Sequence, residues 1–184
     1  FSCFFFSLLR VIIDNYYLIK NQTLNNKELY REYAYKFIDS YLESGTKIPL
    51  HIYVEDGEYP AFPNVTFHDL FEEDPECHAF VKRNQHREAP TYMKDGVRFC
   101  YKVFAQCLGS KIDKEPMLWV DADCVFLQEI DEAFVSRILL NKFVAFYSRP
   151  GLYTECGFMA YDLSKPCSEG FFSHFRNFYV NDVI

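Results

Sequence analysis

Residues 117–127 read MLWVDADCVFL: four apolar residues, then two aspartates separated by one alanine, then an apolar stretch again. MLWV has the length and composition of a buried strand. Side chains two apart on a strand point the same way, so Asp121 and Asp123 are expected to face one side and Ala122 the other. Two neighbouring carboxylates disfavour joint ionisation unless something positive lies between them. A hard divalent cation, Mg²⁺ or Mn²⁺, resolves that conflict with one or two protein carboxylates and leaves positions for water and phosphate oxygens. The plain alternative is a pair of acids that solvates a turn or caps the next helix.

Working outward, the spacing of Cys100, Tyr101, Phe104, Cys107 and Leu108 predicts a helix from Val97 to Gly109, directly before the MLWV strand. Lys102 and Arg98 lie off its apolar stripe. Both are expected on a solvated face, with Lys102 alternatively reaching phosphate oxygens as a point charge. After the aspartates come a helix in IDEAFVSRILL, strands in FVAFYSR and TECGFMAYDL, and a last helix marked by Phe171, Phe172, Phe175, Phe178 and Tyr179. In TECGFMAYDL, Gly157 implies close approach of a ligand or another strand. Glu155, among apolar and aromatic neighbours, is either a strand-end acid in water or an acceptor for sugar hydroxyls with a perturbed titration.

Upstream, YYLIK (16–20) reads as a short strand. Leu29, Tyr30, Tyr33, Ala34, Phe37, Ile38, Tyr41 and Leu42 recur at helical spacing, with Asn25 or Asn26 as the N-cap and Gly45 beyond the end. The alternation in IPLHIYVED predicts a strand ending at Glu55 and Asp56, and VTFHDL (65–70) predicts another. The polar, proline-punctuated region from Phe71 to Gly96 is expected to be loop with one helical piece. Strands alternating with helices imply α/β architecture, a mainly parallel mixed sheet flanked by helices.

The chain has 184 residues, 49% hydrophobic and 19% aromatic, which supports a real core and a single domain over 1–184 with residues 1–15 unassigned. Net charge is −7, and no basic run offers a footprint for nucleic acid. Seven cysteines without a C-x-x-C pair argue against a disulfide framework or zinc site. They are expected to be reduced and mostly buried, as in a cytoplasmic protein. The five histidines show no metal-ligand spacing and are each expected to be structural or solvent-facing. FSCFFFSLLRVII is too short to span a bilayer. It reads as a buried element, with membrane association kept as the alternative.

Taken in order, RFCYKVFAQC, MLWVDADCVFLQEI and LYTECGFMAYDL resemble glycosyltransferases of the A-type fold, closest to bacterial and phage-type enzymes with a strand ending in W-[LV]-D-A-D. The resemblance covers Val97 to Ile184 well and Leu29 to Asp56 loosely. It implies a nucleotide-diphosphate sugar donor, a divalent metal, and transfer to a glycan, lipid or protein acceptor hydroxyl. Asp123 would bind the metal, and Asp121 the metal or the donor's ribose and sugar. Lys102 would lie near the donor, Glu155, as the candidate catalytic residue, and Gly157 would border the sugar or acceptor, and Glu55 or Asp56 would contact the nucleoside. The family pattern places a further metal ligand after the last helix, beyond Ile184, which leaves open that the chain is a fragment. Two rivals remain. D121-A-D-C-V125 also fits the D-x-D-x-[TV] pattern of haloacid dehalogenase-like phosphohydrolases, with Asp121 as nucleophile, although that pattern normally opens its domain. An inactive module that binds sugar nucleotides is the other.

Overall fold

The structure, a computed structural model, describes residues 10–14, 33–55, 58–86, 96–152 and 154–183. The expected strand at 16–20, the start of the first helix, and Asp56 lie outside the described residues.

The elements, in chain order, are β1 (Arg10–Asp14), α1 (Tyr35–Glu43), β2 (Leu50–Val54), β3 (Val65–Asp69), α2 (Leu70–Glu73), α3 (Pro75–Asn84), α4 (Gly96–Gly109), β4 (Met117–Val120), α5 (Glu132–Leu139), β5 (Val144–Tyr147), β6 (Glu155–Tyr161) and α6 (Ser168–Val180). The sheet order is β3-β2-β1-β4-β6-β5. β1 pairs in parallel with β2 and β4, and β2 with β3, whereas β6 runs antiparallel to both β4 and β5. The sheet is therefore mixed and mainly parallel. The strand order reverses between β1 and β4, and the carboxyl ends of parallel strands at such a point are where open α/β sheets bind ligands.

β4 shows why the chain folds around its apolar run. Met117 and Trp119 enter the core shared with α3, α4 and α6, while Leu118 and Val120 enter the core shared with α1 and α5. Period-2 alternation thus fills both faces, as a central strand covered by helices requires.

The region from Phe71 to Gly96, expected to be mostly loop, carries two helices before residue 87. Asp69 ends β3 and accepts hydrogen bonds from the Phe71 and Glu72 N–H groups at 2.9 Å, starting α2. Asp74 accepts from the Glu76 N–H at 3.2 Å, with Pro75 in the first turn of α3. An acid followed by proline is a helix start, and the polar composition masked it.

The six described cysteines are free, and only Cys77, Cys100 and Cys107 are buried; Cys124 is half-buried, and Cys156 and Cys167 are exposed. The expectation of mostly buried thiols therefore holds for half of them.

Candidate active site at the carboxyl end of β4

The strand does not run through the acids. β4 stops at Val120, and residues 121–124 form a turn closed by the Cys124 N–H donating to the Asp121 carbonyl at 3.1 Å. The expectation that alternation puts Asp121 and Asp123 on one side therefore fails, because period 2 applies only to extended backbone. Instead Asp121 is 6% exposed, Ala122 is buried beside it, and Asp123 is exposed. One acid faces in and the other faces out.

The buried carboxylate is held at both oxygens. Lys102 Nζ donates to Asp121 Oδ2 at 2.8 Å, and Trp119 Nε1 donates to Oδ1 at 2.7 Å. Burial pushes the Asp121 carboxyl above its ordinary value, with Lys102 and Trp119 opposing and the Asp123 charge adding to the rise. Lys102 also donates to the Cys156 carbonyl at 3.3 Å, and its ammonium lies 5.7 Å from the centre of the Trp119 ring. It is not on a solvated face: its side chain is 12% exposed. α4 packs against the sheet, α3 and α6, so more than one stripe of it is covered. The conflict between two neighbouring acids is met first by a lysine.

β6 closes the site from the other side. The Asp121 N–H donates to the Gly157 carbonyl at 2.8 Å, and the Gly157 N–H donates to Glu155 Oε1 at 2.8 Å. Glu155 Oε2 lies 3.1 Å from Arg149 Nη1, in an ion pair with about 40% exposure on each side. The close approach that Gly157 implied is made by the Asp121 carboxylate. The structure thus brings Asp121, Lys102, Glu155 and Gly157 together, with Asp123 on the rim. The Arg98 guanidinium lies 5.8 Å from the Phe99 ring centre.

β1 also ends at this edge. Its pairing, Arg10 with Met117 through Ile12 with Trp119, puts Asp14 level with position 121. Sequence reasoning left Asp14 aside. It also missed a pair of histidines away from this edge: His51 Nδ1 and His68 Nε2 are 2.9 Å apart across β2 and β3, and His68 Nδ1 lies 2.7 Å from Glu73 Oε1. Only the register between the strands reveals that contact.

No group of three or more His, Cys, Asp or Glu side chains among the described residues is arranged to hold a metal ion. No helix among them is long and apolar enough to cross a membrane.

No protein-family model matches the chain, and no curated protein matches it. Among solved structures it is similar to the crystal structure of mouse xyloside xylosyltransferase 1 in its apo form, with a TM-score of 0.53 and 14% sequence identity over 96% of this chain and 74% of that one. The chain has the fold of a glycosyltransferase. At that identity the likeness is one of fold. The similar structure is a mouse protein, and nothing in the likeness speaks for a bacterial or phage-type origin.

Proposed function

We propose that this chain carries the donor site of a metal-dependent A-type glycosyltransferase, which moves a sugar from a nucleotide diphosphate to an acceptor hydroxyl on a glycan, lipid or protein. The observation that carries this reading is the Asp121–Asp123 turn at the carboxyl end of β4, beside the point where strand order reverses. The glycosyltransferase fold supports it.

The residues fit a hard cation that takes few protein ligands. Asp123 is exposed and points its charge outward from the turn, while both Asp121 oxygens are already hydrogen-bonded. A Mg²⁺ or Mn²⁺ ion that takes one or two carboxylates and completes its shell with water and diphosphate suits that donor set. Bound there, it would stabilise the charge that develops on the departing diphosphate.

The chain's own residues have distinct tasks. Asp123 would be the first metal ligand. Asp121 would fix the turn and offer a second oxygen, or contact the ribose, to the extent that Lys102 yields it. Lys102 would be a positioning residue, acting on the donor through Asp121. Glu155 and the Gly157 backbone would border the sugar or the acceptor, with Arg149 orienting the Glu155 carboxylate.

The test is a calorimetric panel of nucleotide sugars with and without Mn²⁺, including a nucleotide-linked pentose because the similar structure is a xylosyltransferase. Cation-dependent binding of one donor, lost in Asp123→Asn, is the expected result. Cation-dependent binding unchanged in that variant, or no donor bound at all, would overturn the reading.

A further inference from the structure

An apolar cavity of about 410 Å³ opens beside the acid turn, on the face of the sheet that packs against α1 and α5. Its lining includes Val120, Cys124, Val125, Leu127, Phe134 and Phe158, and no charged side chain among the described residues. Val120 pairs with Phe158 across β4 and β6, so the inner wall is made by the residue directly before Asp121 and the one directly after Gly157. Cys124 closes the acid turn and forms part of the wall, its Sγ 3.9 Å from Asp123 Oδ1. One end of the cavity therefore adjoins Asp123, the proposed first metal ligand.

The segment that forms the mouth is held in place. The Phe126 ring turns inward, 5.1 Å from the Phe37 ring and 5.6 Å from the Tyr41 ring between centres, and the Phe126 N–H donates to Ser40 Oγ at 3.0 Å. Further on, the Ile130 N–H donates to Thr46 Oγ1 at 3.0 Å. Val125 and Leu127, on either side of Phe126, are left at the mouth with 55% and 91% exposure. Exposed aliphatic side chains continuous with an apolar cavity mark a binding site.

The lining selects what can enter. A peptide brings main-chain N–H and C=O groups that need partners once buried. Here the walls are side-chain carbon, and the Cys124, Phe126 and Ile130 N–H groups already donate to Asp121, Ser40 and Thr46. An anion would meet acids: burial pushes the Cys124 thiol up to about 11, and the charges of Asp123, Asp121 and Glu155 add to the rise. An uncharged alkyl chain asks for no hydrogen bond and gains from leaving water.

We propose that this cavity binds the alkyl chain of a neutral lipid-type acceptor, with the acceptor's hydroxyl-bearing head at the Asp123 end.

The acceptor role rests on the donor reading, whereas binding of the chain needs neither cation nor nucleotide. Calorimetry of octyl β-glucoside, kept below its micellar concentration, and of methyl β-glucoside, both in EDTA without nucleotide, tests the chain site. One octyl glucoside per chain is expected, bound at least tenfold more tightly than the methyl glucoside. Val125→Ser/Leu127→Ser should remove that difference without lowering the melting temperature, since both side chains lie at the surface. Val183→Ser, which changes an aliphatic with 62% exposure outside the cavity, should keep it. Equal binding of the two glucosides, or octyl binding unchanged in Val125→Ser/Leu127→Ser, would overturn the proposal. So would a dimer that this variant dissociates in sedimentation, which would assign the face to a second copy of the chain. A donor bound with no preference for the octyl glucoside would sink this inference alone; a bound octyl chain with no donor would sink the donor reading and, with it, the acceptor role.

Discussion

Gly157 sits against Asp121 with little space for a side chain: a methyl group on it would lie 3.1 Å from Asp121 Oδ2 and 3.1 Å from Glu155 Oε1, so a neighbour must give. The two neighbours differ in how they can give. Glu155 is a flexible side chain with 41% exposure, whereas Asp121 is pinned by Lys102 and Trp119. Gly157→Ala is therefore expected to displace Glu155 first and strain the Asp121 turn second, costing about 1–3 kcal/mol as overpacking. Urea unfolding checks the stability, and donor calorimetry should show a larger loss than the stability change explains. Wild-type binding in the alanine variant would mean that the turn tolerates the shift and that Gly157 does not position it.

Lys102 and Asp121 form an ion pair whose side chains are 12% and 9% exposed. Removing one partner of such a pair strands the other charge, while replacing both is far milder. Lys102→Met alone should cost about 3 kcal/mol, the low end for a broken buried pair, because the carboxyl can take up a proton. Lys102→Met/Asp121→Asn should recover most of that, since the asparagine oxygen still accepts from Trp119. A double-mutant cycle in urea measures the coupling; purely additive losses would show that the contact contributes nothing as a pair.

What the residues disclosed in advance was whatever one element decides by itself. Met117–Val120 is an apolar run bracketed by Pro116 and Asp121, and the phase of Cys100, Tyr101, Phe104 and Cys107 fixes one face of α4. Phase says nothing of how many neighbours cover a helix, so Lys102 looked solvated when it is folded onto Asp121. The Asp121 turn was hidden for a related reason. Alternation holds only while the strand lasts, and where it stops depends on β6, which takes the Asp121 N–H on the Gly157 carbonyl. His51 and His68 meet through a register between β2 and β3 that no local pattern encodes.

Asp74 does two jobs between distant segments. It caps α3 through the Glu76 N–H and receives both Arg176 nitrogens from α6, with its side chain 5% exposed. Asp74→Ala removes a cap and a charged, two-point hydrogen bond together, for a loss of about 2–4 kcal/mol. Asp74→Asn keeps the cap and one acceptor oxygen and should lose roughly half as much. Thermal melts of the two variants rank them. Equal losses would assign the whole effect to the ion pair and none to the cap.

The pH dependence of stability separates the buried acid from its partner. Burial raises the Asp121 carboxyl above its ordinary value of 3.8 in the folded chain. The unfolded chain therefore releases this proton first. The contribution of Asp121 is complete below that ordinary value and is lost as pH rises through the higher folded one. In the wild type Lys102 opposes the rise that burial causes. Lys102→Met removes an opposite charge at contact distance, which moves the carboxyl further up. The stability deficit of Lys102→Met relative to wild type should consequently grow as pH rises from the ordinary carboxylate range toward neutral, and Lys102→Met/Asp121→Asn, with no acid left to titrate there, should show no such growth. Urea unfolding of the three proteins at half-unit pH steps measures it. A deficit that stays level across that window would mean that Lys102 does not set the charge of Asp121.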